Sequence, residues 1–198
     1  MKTYSAYGEE EFVVQQFPED FVGYAAEVGA HDGMSTSPTL ALELFGWTVL
    51  CVEPNPSCAS VLMSRRSMVE MCACSNYEAE AVPFHVHVPA QGAYSALHPI
   101  KDHRFWHPEP DAEWREIEVP VRKLDTLLHL HGFPRLDFLA IDVEGEEMNV
   151  LRGADLDHWK PRVIITESWD APLEQQSYLK PFGYLLFHRH QVNNIFLR

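Results

Sequence analysis

Along this chain, short apolar runs of strand length alternate with segments whose apolar residues recur at helical spacing, the pattern of a layered α/β domain. Strands are expected at 23–28, 47–52, 69–73, 136–141 and 162–166, and helices at 9–17, 37–45, 56–66 and 124–131, with one more running through 151. Local punctuation supports these limits. Ser37 is a candidate N-cap with Pro38 at the first helical position, Pro54 and Pro56 stop the second strand, and Gly132 closes the helix before it. From 76 to 121 the alternation breaks. That segment carries Pro83, Pro89, Pro99, Pro108, Pro110 and Pro120, a β-like run at 82–88 and an aromatic, histidine-rich middle; it is expected to be an insertion or lid over a crevice. Two β-rich runs, 184–188 and 194–197, close the pattern as an antiparallel hairpin. Neither a repeat nor a linker divides the sequence, so a single domain over 1–198 is expected.

Composition narrows the class. At 198 residues, almost half of them apolar, the chain can bury one sizeable core. No apolar run is long enough to span a bilayer and the start, 1–11, is polar and acidic, so a cytoplasmic protein is expected. Cys51, Cys58, Cys72 and Cys74 lack C-x-x-C spacing; Cys51 and Cys72 read as small buried apolar residues. The net charge of −14, with basic pairs only at Arg65-Arg66 and Arg122-Lys123, argues against nucleic acid as a partner.

The candidate chemistry lies at two strand ends. Glu27 closes the first strand and is followed by a turn containing Gly29, Ala30 and Gly33, which reads E-x-G-x-x-x-G rather than the dinucleotide pattern G-x-G-x-x-G. A backbone without Cβ there lets a ligand approach the main chain, and a carboxylate suits a cationic cofactor end such as that of S-adenosylmethionine better than a pyrophosphate. Glu53 closes the second strand, where an acid accepts hydrogen bonds from both ribose hydroxyls; the plain alternative is an exposed strand-end charge.

Four blocks, YSAYGEEEFV (4–13), AEVGAHDGMSTSPT (26–39), WTVLCVEPNP (47–56) and LDFLAIDVEGEEMNVLRG (136–153), resemble the FkbM family of S-adenosylmethionine-dependent methyltransferases in order and content. The resemblance implies the class I methyltransferase fold, a Rossmann-like three-layer α/β sandwich around a mostly parallel seven-stranded sheet whose last strand is antiparallel. It also implies O-methylation of a hydroxyl on a sugar or other small metabolite. Carried over residue by residue, Glu27, Gly29, Ala30 and Gly33 would line the methionine end of the cofactor, Glu53 would bind the ribose, and Cys74 and Ser75 would touch the adenine; for Cys74 a buried thiol is the alternative. Asp142 and Glu144 match the D-x-E-G block where the acceptor hydroxyl arrives. Pro38 replaces an Asn of the Ser-Asn-Thr element found in part of the family, and Ala140 stands where many relatives carry Lys.

Methyl transfer to a hydroxyl needs a collinear arrangement and a group that removes the proton. Asp142 is the expected base with Glu144 as its partner, or Glu144 instead caps the next helix. Asp142 and Glu167 are a candidate Mg²⁺ pair, and a shared proton is the alternative way to hold acids that converge. His103 and His107 have a weak zinc spacing, and His98, Phe105 and Trp106 beside them suit packing or acceptor recognition. His31 reads as loop filling, with a role as base the alternative, and His188 and His190 share one face of the terminal hairpin, from which His190 could face the crevice. A nicotinamide-dependent oxidoreductase and a catalytically silent cofactor-binding module are the competing functions.

Overall fold

The computed structural model describes residues 2–88, 95–97, 113–168 and 172–198. In chain order its elements are α1 (Glu9–Gln15), β1 (Tyr24–Val28), α2 (Leu40–Leu44), β2 (Thr48–Val52), α3 (Pro56–Arg65), β3 (Val69–Glu70), β4 (Ala73–Cys74), β5 (Ala79–His87) and β6 (Trp114–Arg122). There follow α4 (Leu124–Leu130), β7 (Phe138–Ile141), α5 (Glu147–Arg152), α6 (Leu156–Trp159), β8 (Val163–Glu167), α7 (Leu173–Leu179), a 3₁₀ turn (Lys180–Phe182), β9 (Leu185–His190) and β10 (Asn193–Leu197).

Seven strands form one sheet in the order β3-β2-β1-β7-β8-β10-β9. The last strand, β10, runs antiparallel to both its neighbours, and the rest are parallel to one another. Both faces are covered, which is why the inner strands read as unbroken apolar runs. Alternation sorts them: Leu50, Leu139 and Ile164 enter one core, and Val49, Phe138 and Ile165 the other. All four cysteines are reduced and buried, Cys51 in one core and Cys72 and Cys74 in the other. No helix among the described residues is long and apolar enough to cross a membrane.

Three differences from the sequence pattern have physical causes. The expected strand 69–73 is split: Val69–Glu70 pairs with β2, whereas Ala73–Cys74 pairs with β6 in a second, three-stranded sheet of order β4-β6-β5. Within 76–121, β5 and β6 pair antiparallel over a small core of their own that includes Phe84, Val86, Val119 and Val121. The prolines fit because Pro83 lies on the edge strand β5 and Pro120 beside the register shift between Ala79 and Val82. Helix α7 escapes a periodicity search because one of its inward residues is Gln175, whose amide donates to the Glu167 carbonyl at 2.7 Å. His98, His103, His107, Phe105 and Trp106 lie outside the described residues.

Two packing constraints shape the carboxyl edge of the sheet. Gly29 has φ +89°, and a Cβ there would lie 1.7 Å from the Asp142 carbonyl oxygen, so the ends of β1 and β7 touch only through glycine. The loop after β1 is clamped by Arg66, 4% exposed, from the end of α3. Its guanidinium donates to Glu27 (3.1 Å), to Ser37 Oγ (3.1 Å), to the Gly33 carbonyl (3.2 Å), to Thr39 Oγ1 (2.6 Å) and to Glu43. Gly33 is glycine because a Cβ would stand 2.8 Å from Arg66 Cγ. Ser37 Oγ accepts the Leu40 N–H at 3.1 Å while donating to Glu27, which delays α2 to Leu40.

Replacing Gly29 by Ala is expected to destabilise the fold by about 2–4 kcal/mol, read from urea unfolding, because both the left-handed backbone and the contact with Asp142 oppose a side chain. Arg66→Met should cost about 3–5 kcal/mol by the same measurement, since it leaves the buried Glu27 carboxylate without its cation.

Candidate active site

The carboxyl ends of β1, β2 and β7 face the β4-β6-β5 sheet across a cleft enclosing about 720 Å³, its mouth included. Gly29, Glu53, Cys74, Asp142 and Glu144 line this cleft together, with Phe84 and Leu97 on the opposite wall. Glu27 lines a smaller adjoining cavity that shares Gly29 and Asp142. Ala30, Gly33 and Ser75 are in neither lining. Ala30 is buried in the core, Gly33 abuts Arg66, and the Ser75 hydroxyl donates to Glu146 at 3.1 Å.

Glu53 is held by its neighbours. One carboxylate oxygen accepts the His31 N–H at 2.9 Å and the other the Asn55 N–H at 2.8 Å, which leaves lone-pair capacity on both. Burial raises its pKa and the two backbone N–H bonds draw it back. His31 reaches this bond in a left-handed conformation, φ +47°, and so serves the loop through its main chain. Glu27 has a different environment. It accepts from Arg66, Ser37 and Thr39, so it already has a cation partner inside the protein, one that Glu43 shares.

Beyond β7 the chain turns sharply. Glu144 has φ +54° and Gly145 φ +107°, and this break carries Glu144 back toward Asp142. One carboxylate oxygen each from Asp142, Glu144 and Glu167 lies within 4.8 Å of the others. Asp142 is exposed to the cleft, Glu144 is half-buried and Glu167 is buried. Desolvation raises its pKa to about 7, aided by Glu147, Glu27 and Glu53 and opposed by a hydrogen bond with Glu167. Glu144 rises to about 8, through desolvation first and then through Asp142 and Glu147. The turn itself is closed by Glu147, which accepts the N–H groups of Val143 (3.2 Å) and Gly145 (3.0 Å). Glu147 therefore has the helix-entry role that sequence alone left open for Glu144.

Sequence reasoning missed Arg66 and Glu147. Arg66 showed only as half of a basic pair. Glu147 was within the E-G-E-E run that follows Asp142, and its spacing from the turn was the available signal.

Residues 27–192 match the methyltransferase FkbM domain. "Methyltransferase 1" of Beauveria bassiana is 28% identical over 160 residues, covering 74% of this chain and 63% of the relative. "Methyltransferase sdnD" of Sordaria araneosa is 25% identical over 150 residues, covering 62% and 57%. This chain thus spans about three fifths of the length of the curated relatives it matches. Among solved structures, the METTL16 methyltransferase domain superposes with a TM-score of 0.50 at 14% identity, covering 96% of this chain and 63% of that one, a likeness of fold. The strand order, with the last strand reversed, is that of the class I methyltransferases. With the match extending from Glu27 near the end of β1 to the turn before β10, the chain belongs to the FkbM methyltransferase domain family.

Proposed function

We propose that this protein transfers a methyl group from S-adenosylmethionine to a hydroxyl of a small acceptor, such as a sugar, with Asp142 as the general base. The observation that carries this reading is the placement of Glu53 and Asp142 on one cleft, joined by the glycine turn at Gly29. The donor set suits the cofactor. Glu53 retains acceptor capacity for ribose hydroxyls, and Cys74 and Phe84 give the cleft a wall that an adenine can contact. Asp142, Glu144 and Glu167 bring three carboxyl groups to the remaining end, where a positive sulfur would favour their ionised forms. Glu27, which shares the Arg66 guanidinium with Glu43, acts in this reading by fixing the loop rather than by meeting the ligand's charge. The β4-β6-β5 sheet would serve as the cover of the nucleoside.

When bound, the cofactor supplies an electrophilic methyl group, and the leaving sulfide needs no proton. The protein must orient the acceptor and accept its hydroxyl proton. A carboxylate raised to about 7 is a stronger base than an ordinary one and still ionises near neutrality. Glu144 and Glu167 share the load of that proton by hydrogen bonding and proximity. A divalent cation held by Asp142 and Glu167 is the other use of the same oxygens, and activity that EDTA abolishes and Mg²⁺ restores would select it.

Calorimetry with S-adenosylmethionine and S-adenosylhomocysteine tests the cofactor half. Glu53→Ala should weaken binding at least tenfold. Asp142→Asn should bind both compounds within about threefold of the native protein and lose methyl transfer by a factor of 10² or more. Turnover retained in Asp142→Asn removes Asp142 from the reaction, and a native protein that binds neither compound overturns the whole reading.

The pH dependence has a defined sign. The base works ionised, so kcat/KM, which reports the free enzyme, is expected to climb as pH rises through about 7. Folding stability runs the other way. Asp142 and Glu144 bind protons more tightly folded than unfolded, so stability should fall as pH rises from about 4 to about 8. A chemical-denaturation series should show Asp142→Asn gaining on the native apoprotein at pH 8 and not at pH 4.

A further inference from the structure

The block 4–13 has no part in the reading so far, yet its acids are spent on holding it in place. Glu10, fully buried, accepts the N–H groups of Tyr4 and Ser5 and the Ser5 hydroxyl. Glu9, also buried, accepts the Tyr7 N–H at 3.0 Å and the side-chain amide of Asn193 at 2.6 Å. Ser5 forms a bridge with Thr36 in the loop after β1. The segment is therefore a strap fastened to both sides of the crevice. It contributes one ring of an exposed aromatic pair: Tyr7 and His190 of β9 lie 4.4 Å apart at 31°, with Tyr7 43% exposed.

Strand register places this pair in line with the base. Asp142 follows Ile141, which pairs with Thr166, so Asp142 stands beside Glu167. Glu167 pairs with Asn193, and Asn193 with His190. Asp142, Glu167, Asn193 and His190 thus form one row across β7, β8, β10 and β9. At ~4.8 Å per strand the aromatic pair stands roughly 14 Å from Asp142. Asp142 and Glu167 supply hydrogen-bond acceptors at the inner end of the row, and their cluster with Glu144 opposes an anionic ligand.

We propose that this row is the acceptor groove and that Tyr7 and His190 are its stacking platform, recognising an uncharged polyhydroxylated ring compound that reaches from Asp142 to the β9 edge. The proposal rests on the methyl-transfer reading. Ring hydroxyls donate to the carboxylates, and a flat apolar face lies on the aromatic pair.

Saturation-transfer NMR on protein held with S-adenosylhomocysteine tests it, with methyl β-D-glucopyranoside, p-nitrophenyl β-D-glucopyranoside and glucose 6-phosphate as probes. The two neutral glycosides should bind, the longer one more tightly, and the phosphate should not. Tyr7→Ala and His190→Ala, each checked for an unchanged melting temperature, should weaken the longer glycoside at least fivefold, and Tyr7→Phe should stay within twofold. Should Tyr7→Ala fail to fold, His190→Ala, on an exposed strand, decides alone. Absence of binding by both neutral glycosides, equal binding in the folded alanine variants, or tighter binding of the phosphate overturns the groove. Calorimetry of S-adenosylhomocysteine on the same samples separates the two levels. Normal affinity alongside any of those results defeats only the groove, whereas no affinity in the native protein defeats the methyl-transfer reading with it.

Discussion

The buried guanidinium of Arg66 decides how charge is distributed along the carboxyl edge of the sheet. Acids accumulate there because the parallel strands all deliver their carboxyl ends to the same side, and Glu27, Glu53, Asp142 and Glu167 each stand within one residue of such an end. Arg66 engages Glu27 and Glu43 with its fork, satisfies Ser37, Thr39 and the Gly33 carbonyl, and so converts one of those acids into a structural anchor. The rest remain as a field directed into the cleft. A buried ion pair of this kind adds little net stability against an apolar replacement, but removing one partner is costly.

That division explains why the raised pKa values are found where they are. Among the described residues no buried cation is hydrogen-bonded to Asp142 or Glu144, and desolvation acts on them first, with neighbouring carboxylates adding to it. Glu53 is drawn back by two backbone N–H bonds and Glu147 by the N–H groups of its turn. Two groups of acids result, one fixed by hydrogen bonds and one poised near neutrality. The second group is the one a bound cation would stabilise, which links the electrostatics of the apoprotein to the proposed cofactor.

Strand order also ties the crevice to distant parts of the chain. Gly29 lets β1 and β7 meet, so residues more than a hundred positions apart share one wall. The reversed strand β10 then brings Asn193 beside Glu167, and Glu9 fastens the segment before α1 to that same edge. The β4-β6-β5 sheet closes the other side with a core of its own.

By itself the sequence determined the alternation of strands and helices, the acids that end β1 and β2, the glycine turn and the D-x-E-G block, because apolar period, proline stops and glycine are local properties of a chain. It also led to the right family. The function of those features was less local. Gly29 and Gly33 leave room for Asp142 and Arg66, and Glu27 is paired, facts that depend on which side chain arrives from elsewhere. The split of 69–73 between two sheets, the inward Gln175 of α7 and the row from Asp142 to His190 were likewise decided by the tertiary structure. Register and burial are set by packing between segments remote in sequence, and no local pattern encodes them.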